Sequence, residues 1–267
     1  MLRKLVLVSR PRFWLYLAGP FLLGAVISGV AFWQEPVFWW VLVFFLVPAN
    51  ILLYAVNDYF DADTDAYSSK KRGKEFIFSG ERWVLSSWVV CAVIGVGVAW
   101  ALRSWLVAGF LLLAVFYSAP PIRFKARLLL DSLSNVLYVL PGFLGYSLFS
   151  GLAPAWWAVV GAWAWASAMH LFSAVPDIPA DKKAGLRTTA VVVGKDTALV
   201  ICSVWWVLSL VAALGSLSWL AGVLVLYPVF SAVLVGRSLQ VVARAYWYFP
   251  FINAGVGLFL VVSLLLL

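Results

Sequence analysis

Charged side chains are scarce in this chain: Asp, Glu, Lys and Arg make up 11% of its 267 residues, against 65% hydrophobic residues. With that balance and a mean hydropathy of +1.01, it has too little polar surface to cover an apolar core in water, which excludes a soluble domain. Histidine occurs once, as His170, which excludes a His-rich metal centre. The two cysteines, Cys91 and Cys202, fall inside apolar runs; this argues against a disulfide framework or a thiolate metal site and reads as small buried side chains. There is no glycine-rich phosphate loop and no Ser-His-Asp order, so nothing supports hydrolysis.

What the chain has instead is long apolar runs. Residues 13–33, 37–56, 83–101, 104–119, 130–150, 154–176, 197–215, 217–236 and 249–267 each approach the roughly 20 residues that cross a bilayer. They predict an all-α integral membrane protein with nine transmembrane helices, forming a single membrane-embedded domain over residues 1–267. Basic residues orient it. They gather before span 1 and after spans 2, 4, 6 and 8; of the 19 Lys and Arg, only Arg103 falls on the other side. The positive-inside rule then predicts a cytoplasmic N-terminus and an outside C-terminus. One basic membrane face also accounts for the net charge of +8, so no nucleic-acid partner is expected. The basic start contains Pro11 and runs into a full span without a small-residue cleavage pattern, as in a retained signal-anchor.

The few acids are not scattered. NILLYAVNDYFDADTD, residues 50–65, ends in four aspartates. At 100° per residue, Asn57, Asp61 and Asp65 share one helical stripe, with Asp58 beside them and Asn50 and Tyr54 continuing it; Asp63 points away. Carboxylates in a row at a membrane edge are costly unless a cation meets them, and an oxygen-only donor set favours Mg²⁺. The other reading is a solvated acidic loop, which the helical phasing and the basic residues that follow disfavour. A second acidic site lies in VPDIPADKKAGLRTTA, residues 175–190, where Asp177 and Asp181 stand four apart and Lys182, Lys183 and Arg187 follow. Pro176 and Pro179 predict a broken or restarted turn there. Each site ends the second span of a group of four, so spans 1–4 and 5–8 read as two four-helix pseudo-repeats plus a ninth helix, with the chemistry between the halves.

Two acidic clusters and a ring of Lys and Arg at the mouth of an apolar bundle suit a diphosphate held through Mg²⁺, and the neutralised diphosphate is a good leaving group. Ionising an allylic diphosphate leaves a carbocation that water must not reach early, and aromatic rings shield it and offer it their π-faces. Most of the 17% aromatic residues are nevertheless interface belt and core packing. His170, seven residues before Asp177 on the same helical face, reads either as an acid or base or as a hydrogen-bonded core histidine. Asp131, Asn135 and Tyr138 share a face of span 5, lining the mouth or bridging helices.

NDYFDADTD has the form N-D-x-x-D-x-x-x-D and DIPADKKAG the form D-x-x-x-D-x-x-x-G, which together resemble the two signatures of the UbiA superfamily of intramembrane prenyltransferases. YSAPPIRFK, residues 117–125, is similar to that family's tyrosine-initiated, lysine-bearing segment after span 4, and the resemblance covers essentially the whole chain. It implies a UbiA-like bundle, Mg²⁺ as cofactor, and transfer of a prenyl group from a prenyl diphosphate donor to a lipophilic acceptor. Carried over position by position, it implies Asn57, Asp58, Asp61, Asp65, Asp177 and Asp181 as metal-binding, with Asp58, Asp61, Asp177 and Asp181 catalytic, and Lys125 as a diphosphate contact. Arg10, Arg72, Arg123 and Lys182 are the further diphosphate candidates; Asn50, Tyr54, Tyr117, Asn135, Tyr138 and His170 are the cavity-lining ones. The family often has an Arg-Pro pair after the first motif where this chain reads KKRGKEFIFSG, so Arg72 or Lys74 stands in that place. SRPRFWLYLAGP, residues 9–20, together with NDYFDADTDAY resembles the lycopene elongase branch, which implies a dimethylallyl donor and lycopene entering laterally from membrane lipid. The alternatives are an aromatic acceptor, which wants a polar clamp; a secondary transporter, which wants acids at the bilayer midplane; and a non-catalytic subunit, which would have lost part of the motifs.

Overall fold

A computed structural model of the chain describes residues 2–61, 76 and 78–267. Among the described residues all regular structure is helical, with no strand. The α-helices are α1 (Leu2–Ser9), α2 (Leu15–Ile27), α3 (Pro36–Leu46), α4 (Pro48–Phe60), α5 (Arg82–Ala101), α6 (Trp105–Phe116), α7 (Leu130–Leu133), α8 (Leu140–Ser150), α9 (Trp156–Ala174), α10 (Ile178–Lys183), α11 (Thr189–Val193), α12 (Lys195–Leu217), α13 (Leu226–Leu234) and α14 (Leu239–Leu266). Six helical stretches among them are long and apolar enough to cross a membrane: Pro36–Phe60, Arg82–Ala101, Leu130–Ser150, Trp156–Lys183, Lys195–Leu234 and Leu239–Leu266. Leu15–Ile27 and Trp105–Phe116 are apolar but shorter. The protein is an integral membrane protein.

Several helix boundaries differ from the sequence expectation for local reasons. The last helix starts at Leu239 and not near 249, because the Ser238 hydroxyl caps it, accepting from Val241 N at 3.4 Å, and nothing breaks it before Pro250. Arg244 therefore lies on a helix and not in a connection. Pro36–Phe60 is interrupted at Val47, where Pro48 restarts the helix. Asn50, expected to line a cavity, is fully buried and gives both amide hydrogens to this break, donating to Phe45 O at 2.7 Å and Leu46 O at 3.0 Å. Lys195–Leu234 turns back on itself at Ser218, whose φ of 52° lies in the left-handed region. Ser231 Oγ donates to Leu199 O at 2.7 Å and Ser203 Oγ to Pro228 O at 3.3 Å, so α13 runs antiparallel along α12.

The chain divides into two compact units, residues 1–123 with 137–153, and residues 124–136 with 154–267. One boundary falls at 123/124, between spans 4 and 5 as the repeat reading has it, but a second at 136/137 cuts span 5 and returns residues 137–153 to the first unit. In the first unit α8 packs on α2 at very short range: a Cβ at Gly145 would meet Phe21 O at 2.3 Å and Ala25 N at 3.0 Å. Only glycine permits that approach, which ties residues 140–150 to α2. In the second unit α12 packs along α9, and Cys202 Sγ donates to Ala168 O at 3.4 Å.

Candidate active site

In the first unit, α4 carries Tyr54, Asn57 and Asp58 on consecutive turns and ends at Phe60, so Asp61 is its C-cap and its N–H donates to Asn57 O at 2.9 Å. Asp58 is fully buried and Asp61 is 2% exposed, a costly position for carboxylates unless positive or donating groups face them. Both have such partners. Arg10 Nη2 lies 2.7 Å from Asp58 Oδ1, and its guanidinium stacks 4.6 Å above the Tyr54 ring. Arg123 Nη2 lies 3.9 Å from Asp61 Oδ1 and donates to Phe60 O at 3.4 Å. Ser118 links two residues of the motif: Asn57 Nδ2 donates to its hydroxyl at 3.1 Å, and the hydroxyl donates to Asp61 Oδ2 at 3.3 Å. Arg10 and Arg123 both sit at left-handed φ, 49° and 46°. Such backbone costs on the order of 1 kcal/mol or more in a non-glycine residue, and it persists where the surroundings over-determine it. Beneath Arg10, Phe13 packs against Tyr16 at 5.1 Å and Tyr54 at 5.8 Å, and Tyr138 meets Tyr16 edge-on at 6.0 Å.

In the second unit the end of α9 tightens into a 3-10 turn, Val175–Asp177, and restarts as α10, so the proline-broken turn is present. Asp177 and Asp181 are both half-buried. Asp181 is tied to the loop that follows: Leu186 N donates to its backbone oxygen at 2.9 Å, and Thr188 Oγ1 donates to its Oδ2 at 3.2 Å. Lys182 is exposed, and Lys125 is half-buried on the 3-10 turn Phe124–Ala126. His170 lies half-buried on α9, with its backbone oxygen accepting from Ser173 Oγ. Tyr117 caps the end of α6, half-buried and next to Ser118. Asn135 is buried and donates to Asp131 O at 2.5 Å, and the 3-10 turn Ser134–Tyr138 departs from the helical phase that puts Asp131, Asn135 and Tyr138 on one face. Asp63, Asp65, Arg72 and Lys74 lie outside the described residues.

The structure thus brings Asn57, Asp58 and Asp61 together with Arg10 and Arg123 in the first unit, and Asp181 with its own loop in the second. Ser118 and Thr188 are site residues that the sequence reading passes over. Ser118 sits inside the quoted YSAPPIRFK segment and Thr188 seven residues after Asp181, but a lone hydroxyl carries no periodic signal. No group of three or more metal-ligating side chains is preassembled among the described residues. The donor chemistry nevertheless fits a hard divalent cation, since Asn57, Asp58, Asp61, Asp177 and Asp181 offer oxygen ligands and no soft atom.

The sequence profile of the UbiA prenyltransferase family matches residues 16–263. The chain is 45% identical to the lycopene elongase/hydratase of Haloferax volcanii, over 98% of this chain and 88% of that protein. It is 46% identical to the lycopene elongase/hydratase of Halobacterium salinarum, over 97% of this chain and 95% of that one. The fold is similar to that of a UbiA homologue from Archaeoglobus fulgidus solved with GPP and Mg²⁺, with a TM-score of 0.69 and 20% identity over 97% of this chain and 99% of that chain. The acidic motifs, the helical architecture and the match along nearly the whole length agree: the chain belongs to the UbiA prenyltransferase family.

Proposed function

We propose that the chain transfers a dimethylallyl group from its diphosphate to lycopene, as a membrane-embedded elongase. The observation that carries this reading is the 45% and 46% identity, along nearly the full chain, to proteins named lycopene elongase/hydratase. In the reaction, the C–O bond of the donor breaks and its electron pair leaves with the diphosphate. A terminal double bond of lycopene supplies the pair for the new C–C bond, and the resulting tertiary cation either adds water and releases one of its protons to leave a hydroxyl, or loses a carbon-bound proton to leave a double bond.

Asn57, Asp58, Asp61 and Asp65 of the first motif and Asp177 and Asp181 of the second would be the residues that hold Mg²⁺, which when bound would supply the charge neutralisation that makes diphosphate a good leaving group. The chain's own groups prepare that site. Arg10 fixes Asp58 and Ser118 orients Asn57 and Asp61, while Arg123, Lys125, Lys182 and Arg72 balance the remaining phosphate charge. Tyr16 and Tyr138, which meet edge-on at 6.0 Å, are the rings that would shelter the allylic cation from water, while the Tyr54 ring is engaged by Arg10.

We further infer nine crossings: Lys195–Leu234 crosses twice as an antiparallel hairpin, the other five long stretches once each, and Leu15–Ile27 and Trp105–Phe116 once each. The N-terminus and the diphosphate mouth are cytoplasmic and the C-terminus lies outside, a reading supported by the one-sided basic residues. Purified protein given dimethylallyl diphosphate, Mg²⁺ and lycopene should yield products five and then ten carbons longer, and added water in their masses reports hydration. Prenylation of a hydroxybenzoate or naphthoate with lycopene untouched would overturn the acceptor.

A further inference from the structure

Asp131 is fully buried, the one carboxylate among the described residues that is so placed outside the two acidic motifs. It faces no cation there. Its charge is met by donors instead: Thr189 N at 2.7 Å, Thr189 Oγ1 at 2.5 Å and Ser132 N at 2.8 Å. Thr189 Oγ1 in turn accepts from Leu129 N at 2.8 Å, and Leu129 is held at a φ of 65°. A buried carboxylate with this many short bonds is a rigid joint, since losing any partner leaves charge unsatisfied in a dry place. The joint pins the Thr188–Thr189 corner to the start of α7. From that corner Thr188 Oγ1 donates to Asp181 Oδ2 at 3.2 Å, while it also caps α11 by accepting from Val191 N at 3.4 Å.

We propose that Asp131 and Thr188 are positioning residues for the second acidic motif: Asp131 locks the corner, and the Thr188 hydroxyl fixes the rotamer in which Asp181 meets the metal. The proposal rests on Asp181 being a metal ligand. Hydrogen bonds to a ligating carboxylate commonly change metal affinity by about 10–100-fold when removed. The 3.2 Å Thr188 bond is long, which puts the effect at the lower end.

The test uses the full chain in detergent micelles, with Mn²⁺ binding in the presence of inorganic pyrophosphate read by EPR, beside thermal unfolding and the Mg²⁺ dependence of turnover. Thr188→Val should weaken Mn²⁺ binding by about 10-fold and raise the KM for Mg²⁺ more than it lowers kcat, and Thr188→Ser should restore both. Asp131→Asn should shift affinity the same way, and the double variant should be no weaker than the weaker single, because both act through one route. Thr189→Val, which loosens Asp131 without touching Asp181 or the α11 cap, should give a smaller rise. Wild-type Mn²⁺ affinity in Thr188→Val and Asp131→Asn, with thermal stability alone reduced, would overturn the proposal. Intact Mn²⁺ effects in a protein that does not extend lycopene would count against the acceptor and support the positioning role.

Discussion

Replacing Arg10 with methionine should destabilise the protein well before any chemistry is assayed. The substitution keeps an unbranched apolar stem and removes the guanidinium. That group makes a 2.7 Å charge-assisted bond to Asp58, with the two side chains 11% and 0% exposed, and it stacks 4.6 Å above Tyr54. A hydrogen bond to a charged group contributes about 1.5–3 kcal/mol, and a desolvated cation–π contact about 0.5–2 kcal/mol. The sum agrees with the roughly 3–5 kcal/mol lost when a buried pair is broken from one side and a carboxylate is stranded. Solvent screening is slight at this burial, and methionine inherits the same left-handed backbone, so the strain cancels in the comparison. Unfolding of metal-free protein in mixed micelles measures the loss. Adding Asp58→Asn to the variant removes the stranded charge, so the double-mutant cycle should show a coupling of at least about 2 kcal/mol. Stability within about 0.5 kcal/mol of wild type, or simple additivity in the cycle, would refute the claim that Arg10 is committed to Asp58.

Asp61→Ala and Asp177→Ala should each lower prenyl transfer by about 10³-fold or more while leaving a membrane-inserted protein, and near-normal turnover of either with Mg²⁺ present would remove it from the site. Chelation by EDTA should abolish transfer in the wild type, and added Mg²⁺ should restore it. Gly145→Ala should cost about 1–3 kcal/mol or more, because the new Cβ meets backbone atoms of α2 at 2.3 and 3.0 Å. Gly109→Ala, whose Cβ meets only Leu140 Cδ1 at 3.8 Å, is the matched control and should be neutral in the same unfolding assay. A cysteine at Ser69 should label from the cytoplasm and one at Leu152 from outside; labelling of both from a single side would sink the topology.

Composition and periodicity by themselves determined the membrane class and the two acidic motifs. Apolar runs leave charged groups nowhere cheap to go, so an Asp on such a helix has to be explained, and its spacing reports the face it occupies. The family resemblance was legible for the same reason, being carried by the motif residues from Asn57 to Asp65 and from Asp177 to Gly185. Periodicity does not say what meets that face. Arg10 is 48 residues from Asp58, Ser118 is 61 from Asn57 and 57 from Asp61, and Thr189 is 58 from Asp131, so tertiary structure alone decided these pairs. It also decided that Asn50 mends a helix break, that Ser218 reverses the chain, and that span 5 divides at 136/137, with Gly145 beyond the division packed against α2. A hydroxyl or amide can satisfy any nearby donor or acceptor, and which one it finds depends on packing between helices that the local sequence does not encode.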